Sequence, residues 1–558
     1  DIAVPPSEVA PFVAKLKHLL AKSGKDVGIY GHIGAGCLHV RPYIDLRRDE
    51  ELLLMQQITD EVSEILLECG GVLSGEHGDG LARSWSTQIM FSSRLFDAFC
   101  RLKQAFDPYN LMNPGKIVNN PQGMLENLRL SPATPIKEFS TYMDFSREGG
   151  FALAVDLCNG NGQCRKKEGV MCPSYQATLD EKDSTRARAQ ALRGLIHGNI
   201  SESDLLGDDF HKVMDLCIQC KGCKTECPSQ IDMAKMKSEY LHHMHQKKSP
   251  KLRDWLFGHI TNIFRLSSPF ARLINFCNRQ TLIRKGLACL GITQERPLPK
   301  LAKKRFSAIF AQHSPQNSSC PQVVLFIDSF TEFLTPHIGM AAVHVLEALG
   351  FCVIAPQWTC CGRPLISKGF LPEAKAKLSD VLEMLLPYAK AGIPIVGLEP
   401  SCVSALTDEI RDFGLDTKKV ALVIKAIQPL EQFLLQHKQQ LAGLVVPFEG
   451  QVLVHGHCHQ KALFGTQAEC TLLKETCAAN LTEIPSGCCG MAGSFGYEKE
   501  HVEVSKKIGN LVLYPNIRAR NEGAVVIASG NSCRSQIEDG VSMTPLHFIE
   551  FISSRLKH

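Results

Sequence analysis

Apolar residues recur at helical spacing in two stretches near the start of the chain. The first stretch occupies residues 9–20 and stops at Gly24, and the second occupies residues 49–69. Between them lie two short apolar runs, at residues 27–30 and 38–44, which are typical of strands. This order of helix, two strands and helix predicts an α/β subdomain.

Two polar segments, at residues 119–135 and 313–322, separate stretches of different character. Pro, Asn and Gly are frequent in the first of them, as is typical of linkers. Helix-like stretches with clustered cysteines follow that linker, and a basic, partly apolar segment follows them. The predicted domains are the α/β subdomain, a helical cysteine-rich segment, a basic helical linker and a second cysteine-rich domain, at residues 1–118, 138–250, 251–322 and 323–558.

An internal repeat occupies the last predicted domain. Short apolar runs alternate with helix-like stretches twice over and in the same order, at residues 323–327, 353–354 and 395–398 and again at 452–454, 481–484 and 525–528. This alternation predicts parallel α/β units. Each unit carries Cys-Cys-Gly after its second strand and a single Cys after its third, at the edge where parallel sheets bind ligands. The predicted fold class is therefore α+β, with two α/β Cys-Cys-Gly repeats behind a helical segment.

Composition restricts the class of protein. Of the 558 residues, 44% are hydrophobic and 21% are charged, which excludes a mainly disordered chain. A net charge of +4 is too small to indicate nucleic acid as a partner. The apolar runs are far shorter than the ~20 residues that a membrane span needs. The 23 cysteines are clustered, which favours metal ligation in the cytoplasm over a disulfide scaffold.

Four cysteines in the helical segment have the spacing of an iron–sulfur motif. They are Cys217, Cys220, Cys223 and Cys227, and Pro228 follows the last of them. Three thiolates at this spacing wrap one four-iron cluster, and the fourth, before proline, reaches a second cluster in two-cluster ferredoxins. A zinc site would instead show two separated cysteine pairs.

An upstream motif completes the pair with one departure. It consists of Cys158, Cys164 and Cys172, but Asn161 stands where a middle cysteine belongs. An amide is a poor iron ligand beside a thiolate. The ferredoxin pattern then assigns Cys172 to the cluster of the first three downstream cysteines, and Cys158, Cys164 and Cys227 to the other. That other cluster either has three irons, or has four irons and one ligand of another kind.

Two histidines flank a glycine-rich turn in the first subdomain. His32 and His39 lie on either side of the turn, and Glu76 and His77 follow in a second glycine-rich stretch. Two imidazoles and a carboxylate suit a divalent ion with open coordination positions. The alternative is that these are turn histidines that hydrogen-bond the backbone.

Three stretches of this subdomain resemble one family. Gly-His-Ile-Gly-Ala-Gly-Cys-Leu-His at 31–39, Gly-Glu-His-Gly-Asp-Gly at 75–80 and Phe-Asp-Pro-Tyr-Asn-Leu-Met-Asn-Pro-Gly-Lys at 106–116 look like the C-terminal half of FAD-linked oxidases of the vanillyl-alcohol-oxidase type. The nearest branch contains D-lactate and D-2-hydroxyglutarate dehydrogenases. The resemblance implies FAD as cofactor. It also implies a FAD-binding half before residue 1, so we expect a fragment or one piece of a split enzyme that does not retain FAD by itself.

The resemblance also implies roles for single residues. In that family the two histidines and the glutamate bind a divalent metal, often zinc, and these correspond to His32, His39 and Glu76. The neighbouring His77 corresponds to the general base that takes the hydroxyl proton of a 2-hydroxy acid. Two arginines are candidates for holding the substrate carboxylate, namely Arg41 and Arg83.

The last domain resembles the cysteine-rich domains of heterodisulfide reductase and of the glycolate oxidase iron–sulfur subunit. Its second repeat has four thiols, enough for a third cluster, at Cys458, Cys488, Cys489 and Cys533. Its first repeat has three, at Cys360, Cys361 and Cys402. Asp328 and Ser329 stand where the first repeat would have its leading cysteine. We therefore expect a third cluster or redox-active thiols, and unequal roles for the two repeats.

Taken together, these stretches resemble the fused flavin and iron–sulfur D-lactate and D-2-hydroxyglutarate dehydrogenases. This resemblance implies oxidation of a small D-2-hydroxy acid, D-lactate in the first place, with electrons passing through iron–sulfur clusters to a quinone or cytochrome. The alternative is an electron-transfer protein without its own substrate site. We expect a cytoplasmic protein, and basic and apolar residues at 247–264 add peripheral attachment to the inner face of a membrane as a further hypothesis.

Overall fold

The computed structural model describes residues 1–120, 123–126, 128, 130–137, 139–313 and 320–557. These residues form two compact units, Asp1–Pro135 and Ile136–His558. Parts of both predicted linkers, and the predicted domain start at residue 138, lie outside the described residues, which omit 121, 122, 127, 129, 138, 314–319 and 558. The predicted boundaries at 250 and 322 fall inside the second unit.

A three-stranded antiparallel sheet forms the centre of the first unit, in the order β1–β3–β2. Its strands are β1 Ile2–Ala3, β2 Val27–His32 and β3 Cys37–Pro42. The two predicted strands are thus confirmed with slightly shifted ends. β1 was not predicted, because two residues show no periodicity.

The two predicted helices of the first unit are also confirmed, as Val9–Ser23 and Asp49–Glu68. Phe12, Leu16 and Leu66 are fully buried in one apolar cluster, which is the core of this unit. The shorter α-helices are Gly80–Arg83, Thr87–Met90 and Ser93–Phe106, and the 3₁₀ turns are Pro6–Glu8, Ile33–Ala35 and Ser84–Ser86.

The regular structure of the second unit is helical up to residue 310. Its α-helices there are Phe151–Asp156, Pro173–Thr178, Thr185–Ile196, Glu202–Leu205, Asp208–Asp215, Gly222–Glu226, Met233–Lys247, Leu252–Gly258, Ile260–Ser267, Ala271–Cys277, Thr281–Cys289 and Phe306–Phe310. The 3₁₀ turns of this unit are Ser146–Glu148, Gln163–Arg165, Glu181–Asp183, Ser268–Phe270, Glu409–Asp412 and Phe495–Tyr497. In the part of the chain that the structure describes, no helix has the length and apolar composition required to cross a membrane.

Four short parallel strands form the first sheet of the second unit, in the order β5–β4–β6–β7. They are β4 Gln322–Phe326, β5 Cys352–Ile354, β6 Ile395–Gly397 and β7 Ile427–Pro429. The sequence predicted the first three strands and missed β7. The accompanying α-helices are Ser329–Phe333, Pro336–Ala348, Arg363–Ser367, Leu371–Lys390, Pro400–Thr407, Thr417–Ala426, Leu430–Gln436 and Lys438–Leu444.

A second parallel sheet follows, in the order β10–β8–β9. Its strands are β8 Val452–His455, β9 Leu481–Glu483 and β10 Val525–Ala528. In both sheets the first strand lies between the second and the third, so the loops that follow these strands meet at one edge. The α-helices here are Cys458–Leu463, Gln467–Thr476, Val502–Leu511, Leu513–Arg518, Asn531–Val541 and Phe548–Ser553.

One core joins the helical part of the second unit to the sheets. Met214 and Met236 pack in the same buried apolar cluster as Val324 and Leu378. A disulfide bond between Cys320 and Cys352, with Cα atoms 5.4 Å apart, lies at the start of β4 and β5. This bond was not predicted, because the pairing of β4 with β5 is what brings the two cysteines together.

Candidate functional site

A histidine and carboxylate cluster lies beside the sheet of the first unit. β2 ends at His32 and β3 carries His39, and a tight turn joins the two strands. Gly36 ends this turn with a φ of 74°, and a Cβ atom there would lie 1.9 Å from the Val4 carbonyl oxygen. Glycine is therefore required for the turn that sets the positions of the two histidines.

Glu76 is the centre of this cluster. Its Oε1 atom lies 2.8 Å from His39 Nε2, 3.5 Å from His77 Nε2 and 3.9 Å from His32 Nε2. The rings of His39 and His77 stack, with centroids 4.6 Å apart. His39 is buried, whereas the His32 side chain is 71% exposed. The structure thus brings the four predicted residues together, with His32 at the solvent edge.

Asp1 is a member of the cluster that the sequence analysis missed. Its Oδ2 atom accepts the backbone N–H of His77 at 2.9 Å, and its Oδ1 atom lies 3.7 Å from His39 Nδ1. Ligand atoms of Asp1, His39, Glu76 and His77 all lie within 4.8 Å of one another. No sequence motif could have indicated Asp1, since β1 places it there by pairing with β3.

The oxygen and nitrogen atoms of this cluster suit a divalent cation. Asp1 Oδ1 and His39 Nδ1 are buried, and neither makes a hydrogen bond within the described residues. Buried polar atoms normally have partners, so these two are positioned to face a ligand. Two carboxylates and two or three imidazoles are the oxygen and nitrogen ligands of zinc and related ions.

The two predicted substrate arginines lie near this cluster in different settings. Arg83 Nη1 lies 3.6 Å from Asp1 Oδ2, its Nη2 donates to the Gly78 carbonyl, and burial lowers its pKa. Arg41 is exposed on β3 and its Nε donates to the Tyr30 hydroxyl at 3.3 Å. Arg41 can therefore reach a ligand from solvent, whereas Arg83 borders the carboxylate cluster.

The two ferredoxin-like motifs of the second unit lie against each other. Glu226 accepts the backbone N–H groups of Val170 and Met171, at 2.7 and 3.2 Å, and so joins the downstream motif to the upstream one. At Gly222 a Cβ atom would lie 2.8 Å from Met171 N. This close backbone approach explains why glycine stands between Cys220 and Cys223.

Sulfur atoms of the upstream motif lie at the start of the helix Thr185–Ile196. Cys172 Sγ accepts the Thr185 N–H at 3.0 Å and Cys164 Sγ accepts the Arg186 N–H at 3.3 Å. A hydrogen bond from the Cys172 thiol lowers the pKa of Cys164 to about 6. A helix N-terminus stabilises negative charge, as thiolate ligands of a cluster require. Cys158, Cys223 and Cys227 are buried in the same apolar cluster.

Both polar atoms of the Asn161 side chain make hydrogen bonds within its own turn. Its Oδ1 accepts the Gln163 N–H at 2.8 Å, and its Nδ2 donates to Asn159 Oδ1 at 2.7 Å. The residue is exposed, and both polar ends of the amide shape a surface turn near Cys164. That the fourth position of this cluster has no cysteine ligand stays a prediction.

The four thiols of the second Cys-Cys-Gly stretch are buried together with an imidazole. A hydrogen bond from the Cys488 thiol lowers the pKa of Cys458 to about 7, and hydrogen bonds from Cys488 and Cys533 lower the pKa of Cys489. His455 is fully buried, and its ligand atom lies within 4.8 Å of those of Cys489 and Cys533. Cysteine binds metals as the thiolate. A group of four buried cysteines in which hydrogen bonds lower the pKa of two is therefore suited to metal ligation.

The three thiols of the first Cys-Cys-Gly stretch form a smaller group. Cys361 Sγ donates to Cys402 Sγ at 3.0 Å. That hydrogen bond lowers the pKa of Cys402, but burial and nearby carboxylates raise it to about 12. Asp328 is a helix cap, because its Oδ1 accepts the N–H groups of Phe330 and Thr331. Asp328 is therefore occupied within its own turn, and these thiols are stabilised in the neutral form.

His459 connects three parts of the second unit. Its Nε2 donates to the Gln219 carbonyl at 2.9 Å, and its Nδ1 lies 2.8 Å from Ser404 Oγ. Gln219 precedes Cys220, and His459 follows Cys458. Cys220 also packs in one buried apolar cluster with the four thiols of the second Cys-Cys-Gly stretch. The downstream ferredoxin-like motif and this stretch are thus in direct contact.

A buried ion-pair network also binds the downstream motif to the first sheet. Lys221, which is 2% exposed, forms ion pairs with Asp408 and with Glu409, the latter at 3.0 Å. Lys224 pairs with Asp408 at 2.7 Å, and Arg363, next to Cys361 and Gly362, pairs with Glu409. These pairs hold the cysteine-bearing loop of the motif against the residues that follow the helix Pro400–Thr407.

Two of the chain's relatives are single subunits of larger oxidoreductases. The chain is 29% identical to a subunit of the anaerobic glycerol-3-phosphate dehydrogenase of Escherichia coli (strain K12), over 55% of this chain and 78% of that protein. It is 21% identical to the glycolate oxidase iron-sulfur subunit of the same strain, over 74% of this chain and 97% of that protein.

Further relatives match almost the whole chain. The chain is 29% identical to D-2-hydroxyglutarate dehydrogenase of Escherichia coli (strain K12), over 96% of this chain. The chain spans 56–58% of the length of the D-2-hydroxyglutarate dehydrogenases that it matches. Two segments match described families: residues 1–117 match the FAD linked oxidases, C-terminal domain, and residues 157–232 match the 4Fe-4S dicluster domain.

Proposed function

We propose that this chain is part of a FAD-dependent D-2-hydroxy acid dehydrogenase that passes electrons through iron–sulfur clusters. The observation that carries the proposal is the cluster around Glu76 in the segment that matches the FAD-linked oxidases. The names of the relatives favour D-2-hydroxyglutarate as substrate, with D-lactate as the second candidate. The acceptor is a quinone or a cytochrome.

The substrate end of the reaction belongs to the first unit. His39, Glu76 and Asp1 would hold a divalent ion, for which we propose zinc, together with His32 at the solvent edge. When bound, this ion lowers the pKa of the substrate hydroxyl. His77 is 45% exposed and stacks on His39, so its ring can take the hydroxyl proton while the neighbouring ring stays on the metal. Arg41 can pair with a carboxylate that enters from solvent.

The flavin supplies a hydride acceptor when it is bound. A segment of this chain that would border the flavin-bearing part is the turn after the helix Ser93–Phe106. Phe106, Tyr109 and Leu111 are 76%, 83% and 78% exposed there. Asp107 rigidifies the turn, because its side chain accepts the N–H groups of Leu111 and Met112 at 2.8 Å. We assign this exposed apolar turn as a surface that another part of the enzyme covers.

The second unit would carry the electrons. The upstream and downstream ferredoxin-like cysteines hold two clusters, one of them three-iron or incompletely cysteine-ligated beside Asn161. Cys220 and Cys458 lie in one buried cluster, and His459 links their neighbours by a hydrogen bond to Gln219. The second Cys-Cys-Gly repeat therefore holds a third cluster and is the next carrier on the path.

The test uses the flavin-loaded enzyme with D-2-hydroxyglutarate, D-lactate and an artificial dye as acceptor. His77→Ala should lower kcat by about 10²–10⁴-fold with the divalent metal retained, as for a lost general base. His39→Ala should lose the metal. His18→Ala, on the first helix and away from the cluster, is the control and should keep both activity and metal. Full turnover by His77→Ala would reject its role as base.

The second candidate function is an electron-transfer protein without a substrate site of its own. The specific observation in its favour is the match to the glycolate oxidase iron-sulfur subunit, which covers 97% of that protein. The same experiment separates the two candidates, because a vestigial histidine cluster would tolerate both His77→Ala and His39→Ala without loss of turnover. We further propose a cytoplasmic location. Attachment of the protein to a membrane surface can be tested by liposome flotation.

A further inference from the structure

A polar cavity of about 300 Å³ lies in the basic linker of the second unit. Its walls come from the helices Ala271–Cys277 and Thr281–Cys289, from the turn between them and from the irregular segment 294–300. None of the residues that line it is a cysteine. The cavity is therefore separate from the cysteine groups that are proposed to hold clusters.

Contacts within the second unit hold the walls of this cavity in place. The Asn275 side chain donates to the Leu301 carbonyl at 2.8 Å and accepts the Leu301 N–H at 2.9 Å, so it joins the first helix to the end of the irregular segment. Arg296, which is 1% exposed, pairs with Asp539 at 3.3 Å. A ligand would thus enter a cavity that is already formed, which lowers the entropic cost of binding.

The charges around the cavity are unbalanced. Its lining has one carboxylate, Glu295, and four cationic side chains, namely Arg279, Arg284, Arg296 and Lys300. Glu295 pairs with Lys506 at 2.5 Å, and Lys506 does not line the cavity. Arg279 and Lys300 are exposed, and in the part of the chain that the structure describes neither forms an ion pair. Residues 255–294 contain no Asp or Glu. The cavity therefore attracts an anion.

Arg284 has a nitrogen atom without a partner. Its Nη2 donates to the backbone carbonyls of Thr293, at 3.1 Å, and of Arg296. Its Nη1 is buried and has no hydrogen-bond partner among the described residues. Buried polar atoms normally have partners, and the two carbonyl contacts fix the plane of this guanidinium. The donors of Nη1 are therefore left for an acceptor that the chain itself does not supply.

A phosphate group suits these side chains better than a carboxylate does. A phosphate ester carries up to two negative charges on three acceptor oxygens, and the arginine fork matches its geometry. Two arginines and a lysine without an ion-pair partner offer more donors than the two oxygens of one carboxylate can accept. The volume is at the lower end for small-molecule sites, so the ligand is small or only its headgroup enters.

Exposed apolar side chains lie close to the cavity in sequence. Phe276 and Leu282, each three residues from Arg279, are 62% and 82% exposed. Basic residues next to exposed apolar ones are typical of segments that contact lipid headgroups. A lipid is therefore one source of the phosphate group, and a soluble phosphate ester is the other.

We propose that this cavity binds a phosphate group, carried by a soluble ester or by an anionic lipid. Arg284 Nη1 would donate to one phosphate oxygen, and Arg279 and Lys300 would neutralise the remaining charge from the mouth of the cavity. The proposal is independent of the proposed function, because no residue of the histidine and carboxylate cluster and no cysteine takes part.

The first test titrates inorganic phosphate into the full chain by calorimetry, at pH 8 and low ionic strength. Arg284→Gln and Arg279→Gln should each weaken binding by at least about tenfold, as for a lost hydrogen bond to a charged group. Arg272→Gln is the matched control, because Arg272 is also exposed in the linker but does not line the cavity. Its affinity should stay within about twofold of the parent. Succinate, a carboxylate probe of equal charge, should bind more weakly than phosphate.

A second arm identifies the source of the phosphate group. The parent and the three variants are floated with phosphatidylglycerol vesicles, and melting temperatures check their folding. Flotation that depends on Arg279 and Arg284 but not on Arg272 would support a lipid source. Calorimetric binding with the same dependence, without flotation, would support a soluble ester. Absence of binding in both arms would overturn the proposal. Equal weakening by Arg272→Gln would also overturn it, as would succinate binding as tight as that of phosphate.

Discussion

The two Cys-Cys-Gly stretches should respond differently to the loss of one cysteine. Cys533→Ser removes a thiol that is 1% exposed and hydrogen-bonds Cys489. Cys360→Ser removes a similarly buried thiol from the first stretch, where Asp328 caps a helix in place of a fourth ligand. The second stretch has four thiols and the first has three. We therefore expect iron loss only in Cys533→Ser.

The magnitude follows from the number of ligands. A four-iron cluster needs four protein ligands, and the second stretch offers four thiols with a buried imidazole beside them. Cys533→Ser should therefore lower iron and acid-labile sulfide by about four each per chain. Cys360→Ser should change neither. The iron of the ferredoxin-like segment should remain in both variants.

The assay is iron and sulfide per chain in anaerobically purified protein. Cys477→Ser is the matched control, because Cys477 is also buried in this part of the chain but lies outside the group of four thiols. Equal iron loss in Cys360→Ser and Cys533→Ser would mean that the first stretch has a fourth ligand or that the stretches share a cluster. Unchanged iron in both variants would show that neither holds a cluster, and would refute the reasoning.

Three further results are expected. Asn161→Cys should replace a three-iron electron paramagnetic resonance signal of the oxidised protein with that of a stable four-iron cluster, and absence of any such signal in the parent would reveal an unidentified ligand. His459→Leu should keep its iron, but electron transfer from the ferredoxin-like clusters to the second repeat should be slower, because the hydrogen bond to Gln219 is lost. The rate is measured by rapid freezing. An unchanged rate would remove His459 from the path. Burial lowers the pKa of His501, but Asp215 and Glu498 raise it to about 9. The stabilisation is complete below the unfolded pKa of about 6.5 and is lost as pH rises through about 9, so the melting temperature should fall more steeply from pH 8 to 10 than in His501→Gln.

Much of the local structure was determined by the sequence alone. Helix ends and strands depend on neighbouring residues and on short-range periodicity, so the sequence predicts them. Examples are the helix end at the left-handed Gly24 and the strand predicted at Val323–Ile327. The spacing of Cys217, Cys220 and Cys223 likewise indicates a cluster, because three ligands within seven residues can reach one metal group whatever the rest of the fold.

Only the tertiary structure decided which distant residues meet. Strand pairing brings Asp1 to His39 and His77, and it brings Cys320 to Cys352. These contacts join residues that no spacing rule connects, since strand order and register depend on the packing of the whole unit.

The same physical reason explains the bridge between the cysteine groups. His459 lies in the stretch His-Gly-His-Cys-His at 455–459, whose three histidines are all buried. Its burial between Gln219 and Ser404 follows from three segments that fold together, and this arrangement is absent from any local pattern.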